Sequence, residues 1–282
     1  MAETQPSSLS ADDKAKRAAS FGEIAAQYER FRPGPPLEAV EWILPERART
    51  VVDLGAGTGA LSRLLVDRVD EVVAVEPDAR MRSVLTDSVP GVRVVEGRGE
   101  SMPLPDASAD AVIASSSWHW VDPVPGLHEV GRVLVPGGVL GAVWSGPDRD
   151  AAFMAEAQAL LSGNAETGGS GTAASLLDDQ SRAELTAAVN DPAATTQVLE
   201  IPAGVPFDPP EHTVLTWDVA LNAEELVGLL GTFSWVILMD DDARARLLDA
   251  ARRALGDMLG TDGDATVDVG YRADVWRARR QG

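Results

Sequence analysis

The spacing of apolar residues changes character along the chain. From Ser20 onward, Phe21, Ile24, Tyr28 and Phe31 recur at three- and four-residue steps, which is one face of a helix. Arg32-Pro33-Gly34-Pro35-Pro36 ends that helix, because proline brings no amide donor to the ladder. A second helix is predicted over 37–44. Short, continuous apolar runs then take over. Residues 50–54 (TVVDL), 71–76 (EVVAVE), 92–96, 110–115 (DAVIAS) and 139–144 each read as a strand buried on both faces. Helical stretches are predicted at 60–69, 77–88 and 127–134. Strands alternating with helices predict an α/β fold, a mostly parallel sheet with helices on both faces.

Beyond Trp144 the rhythm loosens. Helices are predicted at 150–161 and 174–189, around a glycine-rich loop at 162–172 (SGNAETGGSGT). Residues 198–217 hold extended segments broken by prolines 202, 206, 209 and 210. Helices at 222–230 and 241–259 precede a closing strand at 266–278. The expected organisation is a loose tail (1–19), an N-terminal helical cap (20–48), a core (49–146), a helical lid (147–195) and a C-terminal part (196–282). That last part completes the sheet and walls a pocket.

Composition narrows the chemistry. The chain of 282 residues is 45% apolar, ample for a real core, and contains no cysteine. Disulfides, thiolate catalysis and cysteine-built zinc sites are thereby excluded. No run of eighteen apolar residues and no secretory leader is apparent, so a cytoplasmic protein without membrane contact is expected. The formal net charge of −20 disfavours phosphate backbones and anionic surfaces as partners. Nothing in the sequence distinguishes monomer from homodimer.

The sharpest local signal is Asp53-Leu54-Gly55-Ala56-Gly57-Thr58-Gly59, lying between a predicted strand and a helix. Glycines there allow positive φ and close approach of backbone to a ligand. Glu76 ends the next strand, where a carboxylate can accept both hydroxyls of a ribose. Together they describe a nucleoside site at the carboxyl edge of a parallel sheet. Gly55-x-Gly57-x-x-Ala60 also satisfies the dinucleotide pattern. Asp53 argues against that reading, since its charge would repel a pyrophosphate but could serve the ammonium of an amino acid.

DLGAGTGAL, EPD, EGRGESMPLP, DAVIASSSWHWVDP and EVGRVLVPGGVL resemble the successive motifs of class I S-adenosylmethionine (SAM)-dependent methyltransferases over residues 20–145. PPEHTVLTWDV through TFSWV resembles the small-molecule branch that includes trans-aconitate methyltransferase-like proteins. The resemblance implies a Rossmann-like sheet of seven strands with an antiparallel last strand. It implies that Asp53, Gly55, Ala56 and Gly57 surround the methionine part of SAM and that Glu76 holds the ribose. It further places Pro77 and Asp78 beside the adenine, Glu100 and Ser101 flanking that ring, and Ser115 near the methionine end. Tyr28 and Arg32 match an aromatic and a basic residue that close over the cofactor.

On the acceptor side, Trp118, His119 and Trp120 follow the fourth strand, at the mouth of the crevice where open α/β sheets bind ligands. Two indoles can form an aromatic wall, and an imidazole can take a proton from a hydroxyl or amine. Phe233 and Trp235 are candidates for the same pocket. Arg30, Arg32 and Arg149 could grip a carboxylate. His128 and His212 read as a helix-surface and a loop residue, and no metal cluster is apparent. The expected activity is SAM-dependent O-methylation of a small-molecule carboxylate or hydroxyl. The alternatives are an NAD(P)-binding oxidoreductase and a catalytically silent SAM-binding protein.

Overall fold

The computed structural model describes residues 31, 34–148, 197–232, 234–237, 239–259 and 265–282. Contacts divide the chain into two compact units. One gathers Pro33–Gly146, Gln197–Leu215 and Ala273–Gly282; the other gathers Met1–Arg32, Pro147–Thr196 and Thr216–Arg272.

The first unit holds the site, and its sheet explains where the site must lie. Helix α1 (Leu37–Ile43) precedes β1 (Thr50–Leu54), α2 (Ala60–Leu65), β2 (Glu71–Val75), α3 (Ala79–Ser88), β3 (Arg93–Val95), β4 (Ala109–Ser115), α4 (Pro123–Val133) and β5 (Leu134–Pro147). Strands β6 (Glu211–Asn222) and β7 (Thr266–Arg279) complete a seven-stranded sheet in the order β3-β2-β1-β4-β5-β7-β6. Strands β1 to β5 pair in parallel. Strand β7 runs antiparallel to β5: Gly137 N–H donates to Arg280 C=O, whereas Asp148, eleven residues later, donates to Gly270.

Order reverses between β1 and β4, so helices leave the sheet on opposite faces there and a crevice opens outside the strand ends. Register aligns those ends. Leu54 pairs with Val75, Val75 with Val95, and Ser115 with Val143. The central strands are buried on both faces, which is why their sequences are continuous apolar runs. Val52, Leu54, Val73, Val75, Val112, Ala114, Leu140 and Ala142 share one core with Leu127, Val130 and Val133 of α4. Each buried valine or leucine among these contributes about 1.5–3 kcal/mol.

Among its described residues the other unit is mainly helical. Helix α5 (Ala223–Gly231) starts at a capping box in which Asn222 Oδ1 accepts the Glu225 N–H and Glu225 accepts the Asn222 N–H. Val236, in the short α6 (Ser234–Ile237), packs with Leu247 and Ala250 of α7 (Asp241–Leu259). Leu226 and Leu229 pack with Leu221, Val269 and Tyr271. Among the described residues no helix is long and apolar enough to cross a membrane.

Several boundaries differ from the sequence reading for identifiable reasons. Helix α4 starts four residues earlier than predicted, because Pro123 occupies its first turn, where a missing N–H costs nothing. Strand β5 begins at Leu134 rather than 139. Its pairing steps from Leu134 to Val139 while β4 steps only from Ala109 to Ala111, so Pro136-Gly137-Gly138 bulges without ending the strand. Helix α2 stops at Leu65 instead of 69, as residues 66–68 turn. The predicted elements at 20–31, 150–161 and 174–189 and the loop at 162–172 fall, save Phe31, outside the described residues.

Gly141 on β5 has no room for a side chain. A Cβ there would stand 2.5 Å from Ile43 Cγ2, in a fully buried region. Gly141→Ala is expected to lower unfolding stability by about 1–3 kcal/mol through overpacking. Denaturant unfolding checks this, and an unchanged midpoint would show that α1 moves aside freely.

Candidate functional site

Three turns converge at the carboxyl ends of β1, β2 and β4. The first follows β1, where Gly55, Gly57 and Gly59 have φ of 67°, 56° and 94°. At Gly55 the conformation and the space both demand glycine, since a Cβ would meet Ser117 Cβ at 2.5 Å. The same Ser117 hydroxyl donates to the Leu54 carbonyl. The turn after β1 and the turn after β4 are thus in direct contact. At Gly57, by contrast, a Cβ would meet nothing within 4 Å among the described residues.

Glu76 binds the second turn to the first. Its Oε2 accepts the Gly57 N–H at 2.9 Å, and its Oε1 accepts the Asp78 N–H at 2.9 Å. The side chain is buried, and burial raises its pKa against the lowering effect of those two amides. Each oxygen retains one lone pair, so a vicinal diol can still be accepted. Arg82 of α3 supports the bend from behind. Its guanidinium donates to the carbonyls of Glu76 (2.8 Å) and Pro77 (2.7 Å) and pairs with Glu96 at 2.8 Å. Pro77 is exposed. Asp78 caps α3 through the amides of Arg80 and Met81, and the Arg80 guanidinium holds its carboxyl below the usual range.

Asp53 sits one residue before the end of β1 and is 1% exposed. Its Oδ2 accepts the Ser62 hydroxyl at 2.7 Å. Burial pushes its carboxyl from 3.8 up to about 7, the Ser62 donors oppose that, and the charge of Glu76 adds to it. Ala56 is buried beside Ala74 and Leu85.

The third turn begins with strain. Ser115 ends β4, and Ser116 takes φ 53°, a conformation a serine adopts at a cost. A single 3₁₀ turn, Trp118–Trp120, follows. Trp118 is 4% exposed and lies in the main core, so it packs rather than walls a pocket. His119 and Trp120 are half-buried, with ring centroids 4.6 Å apart. Trp144 of β5 donates its indole N–H to His119 Nδ1 at 3.2 Å. Glu100 joins this turn to the loop after β3 by accepting the Asp122 N–H at 2.6 Å, and Ser101 is exposed. Tyr28, Arg30, Arg32, Arg149 and Phe233 lie outside the described residues, as does the side chain of Trp235, whose backbone is in α6. His212 is a strand residue, not a loop residue. It sits on β6, 3.0 Å from Asp274 and stacked on Trp276.

A methyltransferase-domain family model matches residues 52–142, the stretch carrying all three turns. An uncharacterised methyltransferase of Mycobacterium tuberculosis is 35% identical over 236 residues, spanning 84% of this chain and 85% of that protein. One from Mycobacterium bovis aligns over the same span with the same identity. The chain belongs to the SAM-dependent methyltransferases. A solved structure described as a type II methyltransferase, from Anaeromyxobacter dehalogenans, shares the fold. It has 24% identity, a TM-score of 0.54, and coverage of 88% of this chain and 98% of that one. The comparisons give no support to an oxidoreductase.

The cofactor of this methyltransferase is SAM, and the residues present fit it. The space left open by the described residues at Gly57 provides a cradle that any side chain would fill, and the Glu76 lone pairs suit a ribose. Sequence reasoning missed Ser62, Arg82, Ser117 and Trp144. Ser117 stands in a quoted motif without its role being visible, and the other three stand outside the motifs; each matters through a contact that only the fold creates.

Asp53 makes the stability of the methyltransferase depend on pH. The native carboxyl keeps its proton to about 7, whereas the unfolded one releases it near 3.8. The native state therefore binds the extra proton between those values, and stability falls as pH rises across them. Above 7 the whole cost of the buried charge is present. Asp53→Asn keeps an acceptor for Ser62 and should raise stability on the order of 2–4 kcal/mol more at alkaline than at mildly acidic pH. Thermal unfolding of the ligand-free protein at both values checks this; an equal change at both would show that Asp53 stays ionised when buried.

Proposed function

We propose that this methyltransferase moves the methyl group of SAM to an oxygen of a small molecule, a carboxylate or a hydroxyl. The observation that carries the reading is the contact of Ser117 with Gly55. It sets the His119–Trp120 turn directly beside the glycine turn, which supports reading the first as the acceptor side and the second as the cofactor side. The net charge of −20 supports a small acceptor over a nucleic acid. We place the reaction in the cytoplasm, in keeping with a cysteine-free chain.

When bound, SAM supplies an electrophilic methyl on a sulfonium centre. The chain supplies binding and orientation. Asp53, with the backbone of Gly55, Ala56 and Gly57, serves the amino-acid end, and Ser115 approaches it. Glu76 takes the ribose hydroxyls, while Pro77, Asp78, Glu100 and Ser101 border the adenine. From the family resemblance we also assign Tyr28 and Arg32 to cofactor binding. We assign His119 and Trp120 to the acceptor and, from the family resemblance, Phe233 and Trp235 as well. Displacement on a methyl carbon demands an in-line approach in a dry site, so positioning is the main contribution.

Calorimetry with SAM tests the cofactor side. Glu76→Ala should weaken binding at least about tenfold, since hydrogen bonds to a charged group are worth about 1.5–3 kcal/mol each. Unchanged affinity would remove Glu76 from the site. Transfer of labelled methyl from SAM to a panel of carboxylic acids, phenols and amines tests the acceptor. Esters or ethers as products are expected. Label recovered only in amines or in nucleic acid would overturn the oxygen assignment.

A further inference from the structure

The loop from β3 to β4 carries Glu100 and Ser101, and helix α4 grips one of its stems. The tip of that loop is a tight turn. Arg98 N–H donates to the Ser101 carbonyl at 3.1 Å, and Ser101 N–H returns a bond to the Arg98 carbonyl at 3.0 Å. The two stems lie together, for a Cβ on Gly97 would stand 2.9 Å from Pro103 Cδ. On the β3 stem, Glu96 pairs with Arg82. On the β4 stem, Glu129 and Arg132 of α4 take hold of the main chain. Glu129 Oε1 accepts the Met102 N–H at 2.6 Å. Arg132 donates to the carbonyls of Met102 at 3.1 Å and Leu104 at 2.8 Å, and to Asp106 at 2.6 Å. Its remaining donors go to Glu129, at 2.8 and 2.7 Å. Every N–H of the guanidinium is thus engaged, so its plane has one orientation.

Side-chain packing alone would keep this stretch in place. Met102 and Leu104 are 4% and 7% exposed, within the main core. Packing leaves open how a peptide plane is turned, and the plane between Ser101 and Met102 governs the tip. Its carbonyl closes the turn onto Arg98, while its N–H points into Glu129. A peptide unit is rigid. Turning the N–H away from Glu129 therefore swings the Ser101 carbonyl and opens the turn. Glu129 fixes the plane, and Arg132 fixes Glu129.

We propose that Glu129 and Arg132 are positioning residues for the base of the cofactor: through the Ser101–Met102 peptide they hold the turn carrying Glu100 and Ser101 in its binding shape before SAM arrives. The inference rests on the assignment of Glu100 and Ser101 to the adenine made above. A loop that spends only part of its time in that shape weakens apparent affinity by the same fraction. The cost falls on the base of the ligand and spares its ribose and amino-acid parts, which bind at Glu76 and the glycine turn.

Two ligands separate the base from the remainder: S-adenosylhomocysteine, the demethylated cofactor product, and S-ribosylhomocysteine, the same molecule without adenine. By calorimetry on the full chain, with displacement for the weaker ligand, Arg132→Met should weaken the first at least about tenfold and leave the second within about twofold. Arg132→Lys keeps a cation beside Glu129 and should show the same pattern with a smaller loss; it decides the matter if the methionine variant does not fold. Glu129→Gln retains an acceptor for Met102 and should recover most of the affinity lost in Glu129→Leu. Equal weakening of both ligands, or of neither, would overturn the proposal, because a general change of packing moves both alike.

Hydrogen exchange of the ligand-free protein gives a reading apart from the cofactor. Amides of 98–102 should exchange faster in Arg132→Met while those of β1 and β2 keep their parental rates. Uniform acceleration across the strands would overturn the proposal. In the parent protein, S-adenosylhomocysteine should slow the 98–102 amides and S-ribosylhomocysteine should not. Absence of that difference would overturn the adenine assignment and the clamp with it. The difference in the parent, together with unmoved ligand preference in the variants, would overturn the clamp alone.

Discussion

Everything at this sheet edge depends on the backbone of residue 55 coming close enough to Ser117 that no side chain can stand between them. A parallel sheet brings the ends of β1 and β4 side by side, but the turns that follow could diverge. Here they are drawn together by the glycine conformation on one side and by the Ser117 hydroxyl, bonded to the Leu54 carbonyl, on the other. The strained φ of Ser116 is held in place by this contact and by the Ser116 bond to Val143. The turns after β1 and β4 therefore behave as one piece of structure.

The two buried acids of this edge solve the same physical problem differently. Burial penalises ionisation at both. Glu76 faces two backbone amides that favour its charged form and offset part of that penalty. Asp53 has the Ser62 donors to offset its fuller burial, and Glu76 works against it. The first thus keeps backbone support for its charge, while the second holds its charge weakly and gains from any cation that joins it.

Much of this was legible in the sequence. Continuous apolar strands, the three glycines after β1 and an acid ending β2 gave the sheet edge, because each follows from local backbone needs. The antiparallel β7 came from the resemblance and not from any pattern in residues 266–279. What stayed hidden was of two kinds. Pro136-Gly137-Gly138 looked like a boundary because a bulge and a break share the same residues, and only pairing distinguishes them. Trp118 and Trp120 are separated by one residue and look alike in sequence, yet the 3₁₀ turn sends one into the core and leaves the other half-buried. Ser62, Ser117, Arg82 and Trp144 are ordinary residues by type, and their importance lies in partners as far as 63 positions away.

The Ser117–Gly55 contact also has an evolutionary reading. Residue 117 is pinned by its hydroxyl bond to the Leu54 carbonyl, whereas 119 and 120 lie just past the pinned point. On the acceptor assignment proposed above, mutation at those two positions would reshape what the protein methylates while leaving its hold on SAM untouched, so descendants of one ancestor would drift to new acceptors by changes confined to a single short turn.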